Sequence, residues 1–84
     1  MADTLHVEIA TPDKMVVQQE ADYATISGKD GEMGILPGHA ALLSELKAGP
    51  VSLTLAGKTH SFTVTGGYVE VRNNQVRVLA DSVE

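Results

Sequence analysis

The second half of the chain alternates between apolar and polar residues with a period of two. The pattern runs through residues 51–64 and is typical of β-strands that bury one face. Gly57-Lys58 predicts a two-residue type II′ turn, and counting outward from that turn pairs Leu53 with Phe62. The resulting hairpin has one apolar face and one hydroxyl face, so a slip of one residue would invert every side chain.

A second hairpin is predicted around Asn73-Asn74, because asparagine tolerates the positive φ that a type I′ turn requires. Its register places valines opposite valines on one face and Glu70 opposite Arg77 on the other, where the two form an exposed ion pair. Two glycines at 66–67 predict a bend between the hairpins.

The first half also favours strands. Residues 5–9 alternate, residues 11–13 form a turn, residues 23–27 form a short strand, and residues 28–31 form a polar, glycine-rich loop. Residues 40–46 fit either a helical turn or a strand. The whole of residues 1–84 is therefore predicted to be a single all-β domain.

Composition narrows the range of functions. The 84 residues carry no cysteine and a net charge of −5, and six basic residues are spread along the chain. Nucleic acids and anionic lipids require clustered Lys and Arg, so we expect no nucleic-acid partner. The longest uncharged stretch, residues 33–44, is too short to cross a bilayer, so we expect no direct membrane insertion.

Candidate chemistry is sparse. His6 and His60 fall on predicted strands, whereas His39 follows Pro and Gly in a loop. A small metal-dependent β-barrel enzyme centred on His39 is one alternative, although no second histidine stands at a ligand spacing. The close carboxylates Asp30 and Glu32 predict a solvated loop, which in an interaction module contacts a basic partner. A generic β adaptor that binds extended peptides along its edge strands is another alternative.

One ten-residue segment is more specific. Residues 31–40 read Gly-Glu-Met-Gly-Ile-Leu-Pro-Gly-His-Ala, and this segment closely resembles the signature of the epsilon subunit of F-type ATP synthases, equivalent to the mitochondrial delta subunit. Further similarity covers the start of the chain, residues 42–49, 66–71 and 76–81. The resemblance implies a ten-stranded β-sandwich of jelly-roll type.

The resemblance also implies a role and partners. Members of this family are noncatalytic subunits of the central stalk that clamp the foot of the gamma subunit and rest on the c-ring of the membrane sector, coupling proton-driven rotation to ATP synthesis. It implies no catalytic residue, metal or cofactor. The implied c-ring side comprises Lys29, Asp30, Gly31 and Glu32, and the implied gamma side comprises Ile35, Leu36, His39 and Leu42.

Family members typically continue into a two-helix C-terminal domain that restrains ATP hydrolysis and in some members binds ATP. This sequence stops at Glu84, so neither helix-mediated inhibition nor nucleotide binding is expected of it. The implied location is peripheral, on the cytoplasmic face of the bacterial inner membrane, as part of the synthase complex.

Overall fold

Residues 3–84 are described by a computed structural model, and they form β-strands without any helix. The strands are β1 Leu5–Ala10, β2 Met15–Ala21, β3 Tyr23–Gly28, β4 Gly31–Ile35, β5 Leu42–Leu55, β6 Lys58–Val64, β7 Gly67–Arg72 and β8 Gln75–Ala80. The all-β prediction is confirmed. The expected count of ten is not, because the described residues form eight strands.

The strands join into one curled sheet in the order β2-β1-β8-β7-β5-β3-β4, and β6 pairs with β5. β1 and β8 run parallel, and the other pairs are antiparallel. Three strands keep a free edge in this order: β2 and β4 at the two ends, and β6 beside β5.

The curl depends on β5, which spans 14 residues. Its first part pairs with β7, where Leu42 lies opposite Val71, and its second part pairs with both β3 and β6. At the bend Gly49 passes close to β3, since a Cβ there would lie 2.8 Å from Ser27 Oγ. Residues 42–46 are thus strand, which excludes the helical alternative, and the pairing with β7 is what decides it.

One hydrophobic core fills the space inside the curl. Every strand contributes at least one side chain that is less than a tenth exposed, and these side chains form one cluster. Its members are Leu5, Val7, Ile9, Ala21, Ala24, Ile26, Ile35, Leu46, Val51, Leu53, Val64, Val69, Val71, Val76, Val78 and Ala80. Because β-branched valine and isoleucine fit a pleated surface, this composition suits a sheet-only core.

The hairpin around Asn73-Asn74 is confirmed. Both asparagines have positive φ, 51° and 61°, as a type I′ turn requires. Glu70 lies opposite Arg77 as predicted. The predicted ion pair between them is wrong, because the Arg77 guanidinium turns to Glu8 on β1, with Nε 3.3 Å from Oε1.

The register predicted for the other hairpin is wrong by two residues. The turn is Ala56-Gly57, with φ of 52° and 79°, so Leu53 lies opposite His60 rather than Phe62. A shift of two residues keeps each side chain on its predicted face. The hydroxyl face therefore survives, and its Ser and Thr side chains pair across the strands with oxygens 2.8 Å apart.

Candidate functional site

The first candidate contact segment is the turn that joins β3 to β4. Gly28 lies opposite Gly31, which leaves Lys29 and Asp30 as a two-residue connection. The predicted loop over residues 28–31 is thus a tight hairpin turn, and Glu32 lies inside β4 rather than at a loop tip. We call residues 29–32 the β3–β4 turn.

Electrostatics make the β3–β4 turn acidic. Lys29 Nζ lies 3.5 Å from a carboxylate oxygen of Glu45 on β5, and the Lys29 amide donates a hydrogen bond to the Glu45 carbonyl oxygen. Asp30 and Glu32 are exposed and have no ion-pair partner among residues 3–84. The lysine charge is thus already matched, and the two remaining carboxylates are available to a basic partner.

The second candidate contact segment is the loop of residues 36–41, which we call the β4–β5 loop. The Gly38 amide donates a hydrogen bond to Asn74 Oδ1 at 2.7 Å, so the β7–β8 turn holds the loop in place. Gly38 has a φ of 87°, and the His39 amide donates to the Leu36 carbonyl oxygen at 3.0 Å. Leu36 is apolar and 61 % exposed, so it offers an apolar side chain at the surface of this loop.

The two segments lie at opposite ends of β4. Leu36 follows Glu32 by four positions, which corresponds to about 13 Å along an extended strand. β4 is a terminal strand of the sheet, so both segments and the strand between them share one border of the molecule.

The structure divides the predicted gamma-side residues between core and surface. Leu36 and His39 are exposed, and Leu42 is half-buried against the core. Ile35 is fully buried and pairs with Ala24 of β3. Its side chain therefore supports the border from inside rather than lying on a surface.

The chemistry around His39 is that of an isolated loop histidine. Its Nδ1 lies 2.7 Å from the Ala40 carbonyl oxygen and donates to it when the ring is neutral, which leaves Nε2 as an acceptor. Within residues 3–84 no three His, Asp or Glu side chains are grouped so that they could hold a metal ion. The metal-enzyme alternative thus gains no support from these residues.

A polar cluster on β1 and β2 was not predicted. His6 Nδ1 lies 2.9 Å from Glu20 Oε2, and this hydrogen bond raises the pKa of His6 above its ordinary 6.5 and lowers the pKa of Glu20 below its ordinary 4.5. Thr4 Oγ1 donates to the other Glu20 oxygen at 2.9 Å. Strand alternation could have placed His6 and Glu20 on polar faces, but only the antiparallel register brings them together.

An exposed apolar row also escaped the sequence reasoning. Tyr68 lies opposite Leu79, Leu79 lies opposite Ala10, and Ala10 lies opposite Met15. Tyr68, Leu79 and Met15 are each about half exposed. Tyr68 and Leu79 fall at outward-facing positions of the predicted Asn73-Asn74 hairpin, so the sequence pattern indicates their exposure.

The fold and these segments define a class of protein: a small strand-only domain whose exposed candidate residues lie on one hairpin and the loop that follows it. No helix among the described residues has the length and apolar character needed to cross a membrane.

Comparison with known proteins defines the family. Residues 4–84 match the family described as ATP synthase, Delta/Epsilon chain, beta-sandwich domain. Over all 84 residues the sequence is 48 % identical to the ATP synthase epsilon chain of Koribacter versatilis and 46 % identical to that of Nitratidesulfovibrio vulgaris. It covers 59 % and 63 % of these two proteins, so the chain spans about three fifths of the length of the curated relatives it matches.

Solved structures share the fold. A chain in the cryo-EM structure of the Euglena gracilis mitochondrial ATP synthase, comprising OSCP, F1 and c-ring, superposes with a TM-score of 0.90 at 23 % identity, over 96 % of this chain and 52 % of that one. A chain in the Tetrahymena thermophila mitochondrial ATP synthase central stalk and c-ring gives 0.80 at 20 % identity, over 98 % and 66 %. The chain belongs to the ATP synthase delta/epsilon family and carries its β-sandwich domain.

Proposed function

We propose that this chain is the β domain of a noncatalytic central-stalk subunit of an F-type ATP synthase. It clamps the foot of the gamma subunit and rests on the c-ring, so that proton-driven rotation reaches the catalytic head. The observation that carries this proposal is the 48 % identity to an ATP synthase epsilon chain over all 84 residues. The structural match to a chain from a central stalk and c-ring complex supports the same position.

In this proposal the β3–β4 turn faces the c-ring. The unmatched carboxylates of Asp30 and Glu32 suit a basic contact, and the Lys29–Glu45 ion pair holds the turn against β5. A partner that rotates as one body with this domain needs contacts in a fixed register. A hairpin turn tied to a neighbouring strand provides such a rigid contact.

The β4–β5 loop faces gamma in the same proposal. Exposed Leu36 and half-buried Leu42 offer an apolar contact, and His39 offers a polar one. The anchor between Gly38 and Asn74 keeps this loop in one conformation before it binds, which reduces the entropy lost on association. The subunit sits peripherally at the cytoplasmic face of the inner membrane through these protein contacts.

The test is a charge reversal at Glu32 in the full-length subunit within the assembled synthase. The matched control is Asp13→Lys, which reverses another exposed carboxylate in the turn between β1 and β2, at the opposite end of the strand order. Exposed charge pairs contribute about 0.2–1 kcal/mol, and reversal adds repulsion of similar size. We expect Glu32→Lys to weaken assembly with the c-ring by about twofold to thirtyfold and to lower coupled ATP synthesis in membrane vesicles.

Both variants should retain the thermal unfolding transition of the unmodified chain, because exposed substitutions change stability by about 0.5 kcal/mol or less. Wild-type ATP synthesis with Glu32→Lys would remove Glu32 from the contact set. Failure of the folded, unmodified domain to bind gamma or the c-ring would contradict the central-stalk role itself.

A further inference from the structure

We propose that the free edge of β4 is a strand-addition site, at which an extended segment of the gamma subunit pairs with the main chain of Glu32 and Gly34. This proposal rests on the proposed function and specifies how the border between the β3–β4 turn and the β4–β5 loop binds its partner. The recognition is main-chain hydrogen bonding, with side chains setting the register.

The direction of the β4 main chain follows from the neighbouring strands. The turn Ala56-Gly57 is of type I′, and its closing pair, Leu55 and Lys58, is hydrogen-bonded. Because hydrogen bonding alternates along an antiparallel pair, the amide and carbonyl groups of every second β5 residue from Leu55 back to Val51 point toward β6. The amide and carbonyl groups of Ser52 and Thr54 consequently point toward β3, where these residues pair with Thr25 and Tyr23.

The same alternation continues across β3. Because the amide and carbonyl groups of Thr25 point toward β5, those of Ala24 and Ile26 point toward β4, where these residues pair with Ile35 and Met33. Glu32 and Gly34 therefore direct their amide and carbonyl groups away from the sheet, so the edge presents two donors and two acceptors in an extended row.

This edge is open. β4 is the last strand in the sheet order, and no described strand pairs with its outer side. Natural proteins block free edges with bulges, prolines, lysines or covering segments. β4 contains no proline or lysine and its ladder with β3 has no register shift, although it is short, at 5 residues, and Glu32 adds one charge.

Each of the other two free edges is interrupted or covered near one end. The ladder between β2 and β1 shifts register between Ile9 and Ala10, which twists an edge away from a partner. The end of β6 is covered by the last described residues, since the Glu84 amide donates to the Thr63 carbonyl oxygen at 2.8 Å and Val64 bridges to Val83. Among the described strands, β4 is therefore the best suited to accept another strand.

The side chains predict what the partner segment contains. Glu32 and Gly34 share the outer face of β4, whereas Met33 is half-buried on the inner face. An apolar residue of the partner segment beside Met33 would extend the core, whereas the Glu32 side chain projects out of the plane of main-chain pairing and stays available to the c-ring. A large side chain opposite Gly34 would cover the exposed glycine backbone.

The test measures amide hydrogen exchange by NMR for the β domain, alone and bound to the gamma subunit encoded in the same genome. In the free domain the Glu32 and Gly34 amides should exchange quickly, because they point to solvent, and those of Met33 and Ile35 slowly. Strand addition should slow both outward amides by about tenfold or more in the complex.

A pair of variants separates main-chain from side-chain recognition. Gly34→Pro removes an outward amide at a position where edge strands accept proline, and we expect it to weaken gamma binding by about tenfold. Gly34→Ala keeps the amide and should bind within about threefold of the unmodified domain. Thermal unfolding of both variants shows whether the fold is kept.

The outcomes distinguish the two proposals. Gamma binding without protection of the Glu32 and Gly34 amides would overturn strand addition and leave the central-stalk role intact. Absence of gamma binding by the folded domain would refute the central-stalk role and strand addition together. The exchange measurement needs no variant, so it decides the matter even where Gly34→Pro does not fold.

Discussion

Gly67 offers the sharpest test of the packing, and we expect Gly67→Ala to destabilise the domain strongly. Gly67 begins β7 after the bend, with a φ of 129°, in a region that side chains rarely adopt. A Cβ at this position would overlap the Leu79 carbonyl oxygen and lie 2.9 Å from Ala80 Cα. Both are backbone atoms of β8, which cannot move aside as a flexible side chain would.

The expected magnitude has two parts. A residue held at such a φ costs about 1–2 kcal/mol. Moving β7 away from β8 weakens at least one ladder hydrogen bond, which is worth about 0.5–1.5 kcal/mol. The sum is about 1.5–3.5 kcal/mol, which in a domain of this size lowers the melting temperature by about 6–28 °C.

Thermal unfolding followed by circular dichroism measures this change, and Gly34→Ala is the matched control. Gly34 lies in an edge strand, has no positive φ, and offers open space to a Cβ. Its substitution should leave the free energy of unfolding unchanged or raise it by up to about 1 kcal/mol. A melting temperature for Gly67→Ala within about 3 °C of the unmodified chain would refute the close approach of β7 to β8.

Three further predictions concern other contacts. Asp22→Ala removes the carboxylate that accepts a hydrogen bond from the Ala56 amide at 2.9 Å, and should cost about 1 kcal/mol in urea unfolding, whereas Asp22→Asn keeps an acceptor and should cost less. Leu53→Ala opens a cavity at a side chain 1 % exposed and should cost about 2–5 kcal/mol, and an unchanged urea midpoint would contradict its burial. The raised pKa of His6 stabilises the fold fully below pH 6.5, and the lowered pKa of Glu20 stabilises it fully above pH 4.5. Their joint contribution is therefore complete between pH 4.5 and pH 6.5, and it declines outside that range. Melting temperatures measured from below pH 4.5 to above pH 6.5 should show this decline, and Glu20→Gln should reduce it, with Glu8 still acting on His6.

The two hairpins show what determines whether a register can be predicted. The Asn73-Asn74 turn is specified locally, because both central residues favour the positive φ that they adopt. At the other turn Ala56 adopts a φ of 52°, which alanine does not favour by itself. The Asp22 carboxylate binds its amide from 34 residues away in sequence, and no local pattern encodes such a contact.

The candidate site shows a similar division. The ten-residue signature identified the family, and the family match confirmed it. A motif, however, does not separate residues that pack from residues that contact a partner, and Ile35 was assigned to a partner surface although it is fully buried. The glycines on either side of the turn predict a loop where β4 begins, and they obscure the alternation of residues 31–35.

Applied there, alternation sorts the signature into two sets. Met33 and Ile35 face the core, Glu32 and Gly34 face outward, and the exposure of these four residues follows that order. The two outward-facing residues are Glu32 and Gly34. They leave one charge and one residue without a side chain at the border of the sheet. A glycine inside a strand weakens it, and it often marks a bulge, a bend or a place where another backbone approaches closely. No described strand pairs with the outer edge of β4, so a glycine at this position agrees with the addition of a partner strand.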